Sequence, residues 1–415
     1  MINWEAHFDP TIRPGLKRIA QLLARMGDPQ RKIPVVHVAG TNGKGSTAAM
    51  IGQALAGNGH RVGMTVSPDL GHLNERVLLN GAAISDSELR VLIDAVDQAA
   101  SGMDEVPTFF EAMIAVSFLA FERWQADIAV VEVGLGGRLD ATNVVPTPLL
   151  TVITPIHYDH MEYLGQDIRQ IAGEKAGILK AGSHLVLAVQ TYPEAERIVL
   201  ERAAGLAIPV SRPLGVAQID GSGVRYQDED GFVVRTGLLG NYQAENLATA
   251  WTAVRQLARL GWISDLARAG EEIAQTRWPG RFQVISQSPL FVIDGAHNLE
   301  AVQKLAETLA THPWSQYRWH LLFAALKDKP AARMVRILAP LMDSMTLTQV
   351  RGPRGLDPAT LTDSLKGFSY RVVDDQAQAF ARAWSSTEED ASRQALLVTG
   401  SLSFLAELRQ AKIIP

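Results

Sequence analysis

The chain has 415 residues, of which 47% are hydrophobic and 20% charged. This composition excludes a largely disordered chain and predicts about two to three compact domains. Lysine and arginine total 39 against 44 acidic residues, for a net charge of −5, so no nucleic-acid or anionic-membrane surface is expected and small molecules are the expected partners. Cysteine is absent, which excludes disulfides, thiolate catalysis and cysteine-ligated zinc.

No leader or membrane anchor is expected. Residues 1–5 have no basic stretch that leads into an apolar core. No apolar run approaches the roughly 20 residues that are needed to span a bilayer. A cytoplasmic protein is therefore expected, and a monomer is the default expectation.

From residue 33 onward, short β-rich apolar runs alternate with longer helical patterns. Ser85 and Glu88 have the spacing of a capping box, which predicts a helix over 85–100. Alternation of this kind is typical of a mostly parallel sheet covered by helices. The predicted strands are 33–39, 61–66, 127–133, 149–154 and 184–188.

Residues 208–237 have a different pattern. Their short runs are broken by Gly221, Gly223 and Gly231, which predicts antiparallel hairpins, a small β excursion before a helix over 241–260. A last helix of this domain is predicted to end near Thr276.

A second domain is predicted after the helical pattern stops at Pro279 and Gly280. The alternation then restarts, which predicts a smaller C-terminal Rossmann-like α/β domain. The predicted domains are 1–278 and 281–415. The predicted strands of the second domain are 282–285, 290–294, 320–324, 346–350, 370–373 and 396–399.

A phosphate-binding turn is the strongest local signal. Residues 35–47 run from an apolar strand through a glycine-rich turn with Lys44 into a helical pattern. Backbone amides of such a turn, the helix N-terminus and a lysine together suit the phosphates of a nucleotide. The segment departs from the G-x-x-x-x-G-K-[ST] pattern at Val38 and Gly45. Nucleotide binding is favoured over a plain glycine turn, which would not explain the lysine and two hydroxyls.

Glu132 lies near the carboxyl end of another predicted strand, where a carboxylate can hold Mg²⁺. Lys44 and Glu132 are expected at the same edge, because open α/β sheets bind ligands at the carboxyl ends of their strands. Gly134 and Gly136 after it suggest a dinucleotide-binding turn, but Leu139 replaces the third glycine, so that alternative is weaker.

Residues 156–162 follow the next predicted strand and are rich in metal-binding side chains. A zinc site of two histidines and a carboxylate is one interpretation, and a solvated loop is the other. Metal ligation by His160 is favoured because the loop leaves the ligand edge of the sheet. In the second domain, Asp294 ends a strand where an acid can bind ribose hydroxyls, although Asn298 as a helix N-cap explains part of that motif equally well.

Eight motifs in order resemble one family. They are GTNGKGS, SPDLxxxNERV, EVGLGGRLDATN, DHMEYLG, GEKAGI, WPGRF, IDGAHN and TGSLSFLAEL. The chain resembles the folylpolyglutamate synthase and dihydrofolate synthase family of Mur ligases. The resemblance implies an N-terminal P-loop-type ATPase domain and a C-terminal glutamate ligase domain. It also implies an ATP-dependent ligase that joins L-glutamate to dihydropteroate or a reduced folate through an acyl phosphate.

The resemblance also implies roles for individual residues. Two Mg²⁺ ions are expected, one on Ser67 and Glu132 and one on His160, Glu132 and a carbamylated Lys175. Lys44, His160 and Lys175 are the implied catalytic residues. The implied ATP contacts are Thr41, Asn42, Gly43, Lys44, Gly45, Ser46, Asn246, Arg281 and Asp294. The implied pterin contacts are Thr108, Phe109, Phe110, Glu111, Leu139, Asp140 and Ala141.

Three alternatives remain. Arg13-Pro14-Gly15 stands where the bifunctional bacterial enzymes tend to have Asp-Leu-Gly, and Asp69 replaces a histidine, so polyglutamation without dihydropteroate activity stays open. A Mur-type ligase for a UDP-linked peptidoglycan precursor is disfavoured, because only about 32 residues precede the first strand, too few for a UDP-binding domain. A nucleotide-driven regulatory or transport module would leave Ser67, His160 and Asp294 without a joint purpose.

Overall fold

The computed structural model describes residues 8–9, 11–388 and 390–415. Residues 1–5, on which the expectation of no leader depends, lie outside the described residues. Within the described ranges, no helix is both long enough and apolar enough to cross a membrane.

The first sheet has eight strands, in the spatial order β4-β3-β2-β5-β1-β6-β7-β8. The pairs β2–β3 and β3–β4 are antiparallel and the others are parallel. The mostly parallel sheet is thus confirmed, whereas the antiparallel edge at 77–83 was not predicted. The strands are β1 (Val35–Ala39), β2 (Val62–Thr65), β3 (Val77–Leu79), β4 (Ala82–Ala83), β5 (Ile128–Glu132), β6 (Leu150–Ile153), β7 (Leu185–Leu187) and β8 (Val210–Ser211).

Helices cover both faces of this sheet. Side chains alternate along a strand, so Val36 and Val38 of β1 pack into one buried cluster while Val35 packs into another. The first cluster includes residues of α2 and α8, and the second includes residues of α1, α3 and α4. The helices are α1 (Lys17–Arg25), α2 (Lys44–Gly57), α3 (Asp86–Ala100), α4 (Phe109–Arg123), α5 (Met161–Leu164), α6 (Ile168–Ala176), α7 (Pro193–Gly205), α8 (Gln243–Arg259) and α9 (Leu266–Ala274).

A three-stranded antiparallel sheet lies before α8. It consists of β9 (Gly215–Asp220), β10 (Gly223–Asp228) and β11 (Val233–Thr236), with β10 in the middle. Trp251 of α8 packs against it and stacks on Phe232, with 4.9 Å between ring centroids. The predicted β excursion is present, but its first residues, 210–211, instead join the large sheet parallel to β7.

The second half has a six-stranded sheet in the order β12-β13-β17-β14-β15-β16, in which only β12 is antiparallel to its neighbour. The strand predicted over 346–350 begins earlier, at Met342, where the exposed Asp343 disguises the strand pattern. The strands are β12 (Gln283–Gln287), β13 (Leu290–Ile293), β14 (Arg318–Phe323), β15 (Met342–Leu347), β16 (Tyr370–Val372) and β17 (Gln394–Thr399). The helices are α10 (Leu299–Leu309), α11 (Ala331–Leu338), α12 (Gln376–Ser385) and α13 (Leu402–Gln410).

The strand ends of the two sheets position the site. Strands β1, β5 and β6 are adjacent and parallel, so the loops that follow them leave the same edge of the first sheet. The loop after β13 and the start of α10 face that edge, because Asn298 at the start of α10 donates hydrogen bonds to Asn42 and Asp159. The chain passes between the halves over 275–282, from α9 to β12. The domain boundary over 278–281 stays a prediction.

Candidate active site

Residues 40–43 form a tight turn between β1 and α2. Gly40 and Gly43 have φ values of +145° and +86°, in the region that favours glycine. A Cβ atom would lie 1.9 Å from Thr154 Oγ1 at Gly40 and 2.1 Å from Asn246 Oδ1 at Gly43. Only glycine therefore fits at these two positions, and the turn leads directly into the amino end of α2.

Lys44 is folded back over this turn. Its Nζ donates hydrogen bonds to the Thr41 carbonyl at 3.0 Å and the Gly40 carbonyl at 3.4 Å. Burial lowers the pKa of Lys44, and the nearby carboxylate of Glu132 opposes that shift. The ammonium group thus lies at a helix N-terminus that itself favours anions.

A cavity of ≈ 370 Å³ lies between the two halves of the chain and contains this turn in its wall. Every residue that the sequence proposed for ATP or metal lines the cavity, whereas none of the seven pterin candidates does. The cavity-lining candidates are Thr41, Asn42, Gly43, Lys44, Gly45, Ser46, Ser67, Glu132, His160, Lys175, Asn246, Arg281 and Asp294.

Glu132 places a carboxylate deep in this cavity. The residue is 5% exposed, and burial raises the pKa of its carboxyl group although Lys44 lies nearby. The Ser67 amide donates to Glu132 Oε2 at 3.4 Å, which brings the serine and the carboxylate together. Oxygen atoms of this kind are the ligands that Mg²⁺ prefers.

Lys175 of α6 is buried rather than exposed. It is 4% exposed, and its Nζ donates to the Gly40 carbonyl at 2.8 Å. Burial, reinforced by the charge of Lys44, lowers the pKa of Lys175 to about 7. The preceding Glu174 instead pairs with Arg138 at 2.8 Å. The neighbouring residues Glu174 and Lys175 thus have different partners.

His160 and Asp159 follow β6. Burial lowers the pKa of His160 to about 4, so its imidazole is neutral at neutral pH, the form that ligates metals. Asp159 receives hydrogen bonds from Lys329 Nζ at 2.5 Å and Asn298 Nδ2 at 3.1 Å. No group of three or more His, Cys, Asp or Glu side chains in the described ranges is arranged to hold a metal ion, and zinc ligation by this loop stays a hypothesis.

The second half contributes Asp294 and Arg281. Asp294 is 2% exposed, and its Oδ2 accepts hydrogen bonds from the Tyr242 hydroxyl at 2.7 Å and the Phe282 amide at 2.8 Å. The carboxylate is thus fixed between α8 and the segment that joins the halves. Asn298 caps α10 by accepting from the Ala301 amide at 2.9 Å, as the alternative interpretation of this motif predicted.

Four of the pterin candidates surround the start of α4. Thr108 and Glu111 form a capping box there, and Glu111 also pairs with Arg18 at 3.1 Å. Phe110 packs against Gly134, and the Arg76 guanidinium lies 5.5 Å from the centre of the Phe109 ring. Helix capping and side-chain packing therefore account for some of the contacts of these four residues. A role of the four residues in substrate binding stays a prediction.

The other three pterin candidates are consecutive. Asp140 accepts hydrogen bonds from the Leu135 amide at 2.8 Å and the Thr142 hydroxyl at 2.5 Å. The Leu139 carbonyl accepts from the Gly15 amide at 3.2 Å, so this segment contacts the residues before α1. Ala141 is 4% exposed and belongs to the buried cluster with α4.

Sequence reasoning missed several residues of the cavity. His297 lies inside the IDGAHN motif, and Tyr242 lies shortly before the predicted ATP contact Asn246, so the neighbourhood of each was a usable signal. Lys329 does not line the cavity but pairs with Asp159, which does, and the sequence around it gave no signal: it lies in a loop before α11, 170 positions from its partner.

Comparison with known protein families assigns both halves. Residues 38–254 match the Mur ligase middle domain, and residues 280–402 match the Mur ligase glutamate ligase domain. A dihydrofolate synthase/folylpolyglutamate synthase from Bacillus subtilis is 37% identical over 425 residues, which cover 96% of this chain and 95% of that protein. The chain belongs to the dihydrofolate synthase/folylpolyglutamate synthase family. Like the family, it is an ATP-dependent amide-forming ligase.

Relatives and solved structures of the family agree over nearly the full chain. A folylpolyglutamate synthase from Lacticaseibacillus casei is 32% identical, covering 95% of this chain and 93% of its own. The Mycobacterium tuberculosis folylpolyglutamate synthase complexed with ADP and AMPPCP superposes with a TM-score of 0.89 at 32% identity, covering 96% and 95% of the two chains. The Escherichia coli enzyme in complex with DHPP and ADP gives 0.84 at 29% identity, covering 99% and 96%. The two matched domains both contribute residues to the cavity between the halves.

Proposed function

We propose that this ligase joins L-glutamate to a reduced folate, and also to dihydropteroate, with cleavage of ATP, and that it acts as a monomer. One observation carries the proposal: a single cavity between the halves collects the phosphate turn, buried Glu132 and Lys175, and Asp294 from the second half. ATP and two anionic or polar reactants need such a shared, enclosed site, because water must be kept from a reactive intermediate.

ATP is proposed to lie across the junction of the halves. Its phosphates would take the place of the carbonyl contacts of Lys44 at the amino end of α2. Asn246 lies over Gly43, and Arg281 and Asp294 lie across the cavity from it. The buried carboxylate of Asp294 suits ribose hydroxyls. Thr41, Asn42, Gly45 and Ser46 complete the proposed nucleotide contacts.

Mg²⁺ is proposed at two positions. Ser67 and Glu132 would hold one ion, and His160, Glu132 and a carbamylated Lys175 would hold the other. The donor chemistry fits, because these side chains supply oxygens and a neutral imidazole nitrogen toward one cavity. When bound, the ions would neutralise charge on the transferring phosphoryl group.

Carbamylation of Lys175 would remove an obstacle to this arrangement. A buried ammonium beside Lys44 repels cations, whereas a carbamate supplies oxygen ligands. The lowered pKa of Lys175 supports the reaction, since only the neutral amine attacks carbon dioxide. Carbon-13 NMR after incubation with labelled bicarbonate should give a carbamate resonance that Lys175→Ala lacks; identical spectra would refute the modification.

The proposed reaction has two steps. A carboxylate oxygen of the folate or pteroate attacks the γ-phosphorus of ATP, the bond to the β-phosphate oxygen breaks, and ADP leaves. The neutral amine of glutamate then attacks the acyl carbon, and inorganic phosphate departs as the amide forms. The residues around the phosphate turn position the first step and exclude water from the acyl phosphate.

The acceptor is proposed to lie toward α4, with Thr108, Phe109, Phe110, Glu111, Leu139, Asp140 and Ala141 as its contacts. The substitution at Asp69 is accommodated locally, because this carboxylate pairs with Arg76 at 2.6 Å and Arg76 in turn lies over Phe109. This arrangement keeps an aromatic wall for a flat ring, which favours activity with both acceptors.

Phosphate release with ATP, Mg²⁺ and L-glutamate tests the proposal. We expect turnover with dihydropteroate and with a reduced folate, each gaining one glutamyl unit by mass spectrometry, and none without an acceptor. Lys44→Ala should lose about 100-fold or more in kcat/KM, while Lys17→Ala, an exposed lysine, should not change it. Turnover with the reduced folate alone would leave polyglutamation only, and acceptor-independent hydrolysis would overturn the ligase assignment.

A further inference from the structure

A pair of amide side chains joins the two halves beside the phosphate turn. Asn42 belongs to the turn and Asn298 to the amino end of α10. Asn42 Nδ2 donates to Asn298 Oδ1 at 3.3 Å, and Asn298 Nδ2 donates to Asn42 Oδ1 at 2.9 Å. Each amide therefore binds the other in both directions. The Ala301 amide donates to Asn298 Oδ1 at 2.9 Å and so fixes the orientation of Asn298, which leaves one orientation of Asn42 that can pair with it.

The second Nδ2 proton of each amide also has a hydrogen-bond acceptor. Asn298 uses its second Nδ2 proton on Asp159 Oδ2 at 3.1 Å. Asn42 directs its second Nδ2 proton at the Nδ1 atom of His157, 3.3 Å away. An amide nitrogen can only donate, so this ring nitrogen must accept. The orientation of Asn42 thus depends on a lone pair of His157.

The other ring nitrogen of His157 completes the arrangement. Nε2 lies 3.1 Å from the hydroxyl of Thr191. Burial, which leaves His157 7% exposed, lowers its pKa to about 4, so the ring is neutral and carries its single proton on Nε2. Thr41 holds the backbone of His157 by donating to its carbonyl at 3.1 Å and accepting from its amide at 3.0 Å.

We infer that His157 is a positioning residue of the nucleotide site, whose Nδ1 lone pair orients the Asn42 amide so that the phosphate turn binds the amino end of α10. With the amide reversed, Asn42 Oδ1 would face Asn298 Oδ1, and two acceptors would repel. The imidazole of His157 acts on this interface through the side chain of Asn42. The inference rests on the proposed nucleotide site only for its predicted effect on nucleotide affinity.

Two substitutions distinguish the effect of losing the Nδ1 lone pair from the effect of losing the bulk of the imidazole ring. The amide of asparagine branches where Nδ1 does, so His157→Asn can still present an acceptor to Asn42. The amide of glutamine reaches the position of Nε2, so His157→Gln can keep Thr191 but not the contact with Asn42. We expect His157→Gln to weaken binding of a non-hydrolysable ATP analogue by about fivefold, and His157→Asn to recover most of that loss, by titration calorimetry.

Nitrogen-15 NMR of protein with labelled histidine shows directly which ring nitrogen of His157 carries the proton, and this readout does not depend on enzyme activity. At pH 7 we expect His157 as the neutral tautomer with its proton on Nε2, assigned by the signals that His157→Asn removes. A proton on Nδ1, or equal weakening by both substitutions in proteins with unchanged melting temperatures, would overturn the inference. Failure of the wild-type protein to bind the analogue would instead count against the proposed nucleotide site.

Discussion

At the scale of single residues, burial decides which titratable groups carry charge. His37 lies in β1 at 0% exposure, and its Nε2 is 2.9 Å from the hydroxyl of Thr142. Burial, together with the charge of Lys180, lowers the pKa of His37 to about 3. Its Nδ1 has no hydrogen-bond partner among the described residues, so protonation would place an unsolvated charge inside the first sheet.

This predicts a specific acid sensitivity. Histidine in the unfolded chain titrates near its ordinary pKa of 6.5, whereas folded His37 stays neutral down to about 3. Between these values the unfolded state binds the extra proton, so stability falls as pH falls. We expect the free energy of unfolding of the wild type to lose up to about 1.4 kcal/mol per pH unit more than that of His37→Gln over this window.

Urea unfolding of both proteins between pH 7.5 and pH 4.5, a range of about three units chosen to straddle the unfolded pKa, measures the difference. Glutamine can still reach the Thr142 hydroxyl but has no group that titrates. Parallel pH dependences of the two proteins would mean that His37 is not the neutral buried group described above.

At the scale of helices and strands, two of the residues predicted to contact the pterin also cap a helix. Ser85 and Glu88 cap α3, as predicted, and Thr108 and Glu111 cap α4 by the same pair of hydrogen bonds. The two boxes differ in surroundings, because Thr108 is buried beside the proposed acceptor site and Ser85 is exposed. They therefore separate a capping role from a substrate role.

We expect Ser85→Ala and Thr108→Ala each to lower the free energy of unfolding by about 1 kcal/mol. Only Thr108→Ala should also raise the KM for a reduced folate, by about threefold or more, because the start of α4 carries Phe109 and Phe110. Urea unfolding and steady-state kinetics check both effects. An unchanged KM in Thr108→Ala would mean that Thr108 only caps α4 and does not contribute to folate binding.

The strands show what periodicity reveals and what it hides. The buried parallel strands were predictable because their apolar runs are continuous, as in residues 128–131 of β5 and in β13. Strand β4 is two exposed residues, and the second residue of β15 is the exposed Asp343, so neither has an apolar pattern at that point. The edge at 77–83 depends on pairing with β2, which a local pattern does not record.

At the scale of the whole molecule, the cavity exists because polar side chains bind across the halves. Asp159 with Lys329, Tyr242 with Asp294, and Glu75 with Arg409 at 2.9 Å are such pairs. The strand-end rule predicted that Glu132 and Lys44 would meet at one edge. It could not predict Lys329 or the burial of Lys175, because both depend on the way separate elements pack in three dimensions.

The transfer of a carboxylate oxygen to phosphate tests the central claim most directly. A reduced folate labelled with oxygen-18 in the reacting carboxylate is incubated with the protein, ATP, Mg²⁺ and L-glutamate, and the released phosphate is analysed by mass spectrometry. An acyl phosphate requires one labelled oxygen in each phosphate released with a glutamyl product. Unlabelled phosphate, formed while the product accumulates, would contradict the ligase chemistry proposed for this cavity.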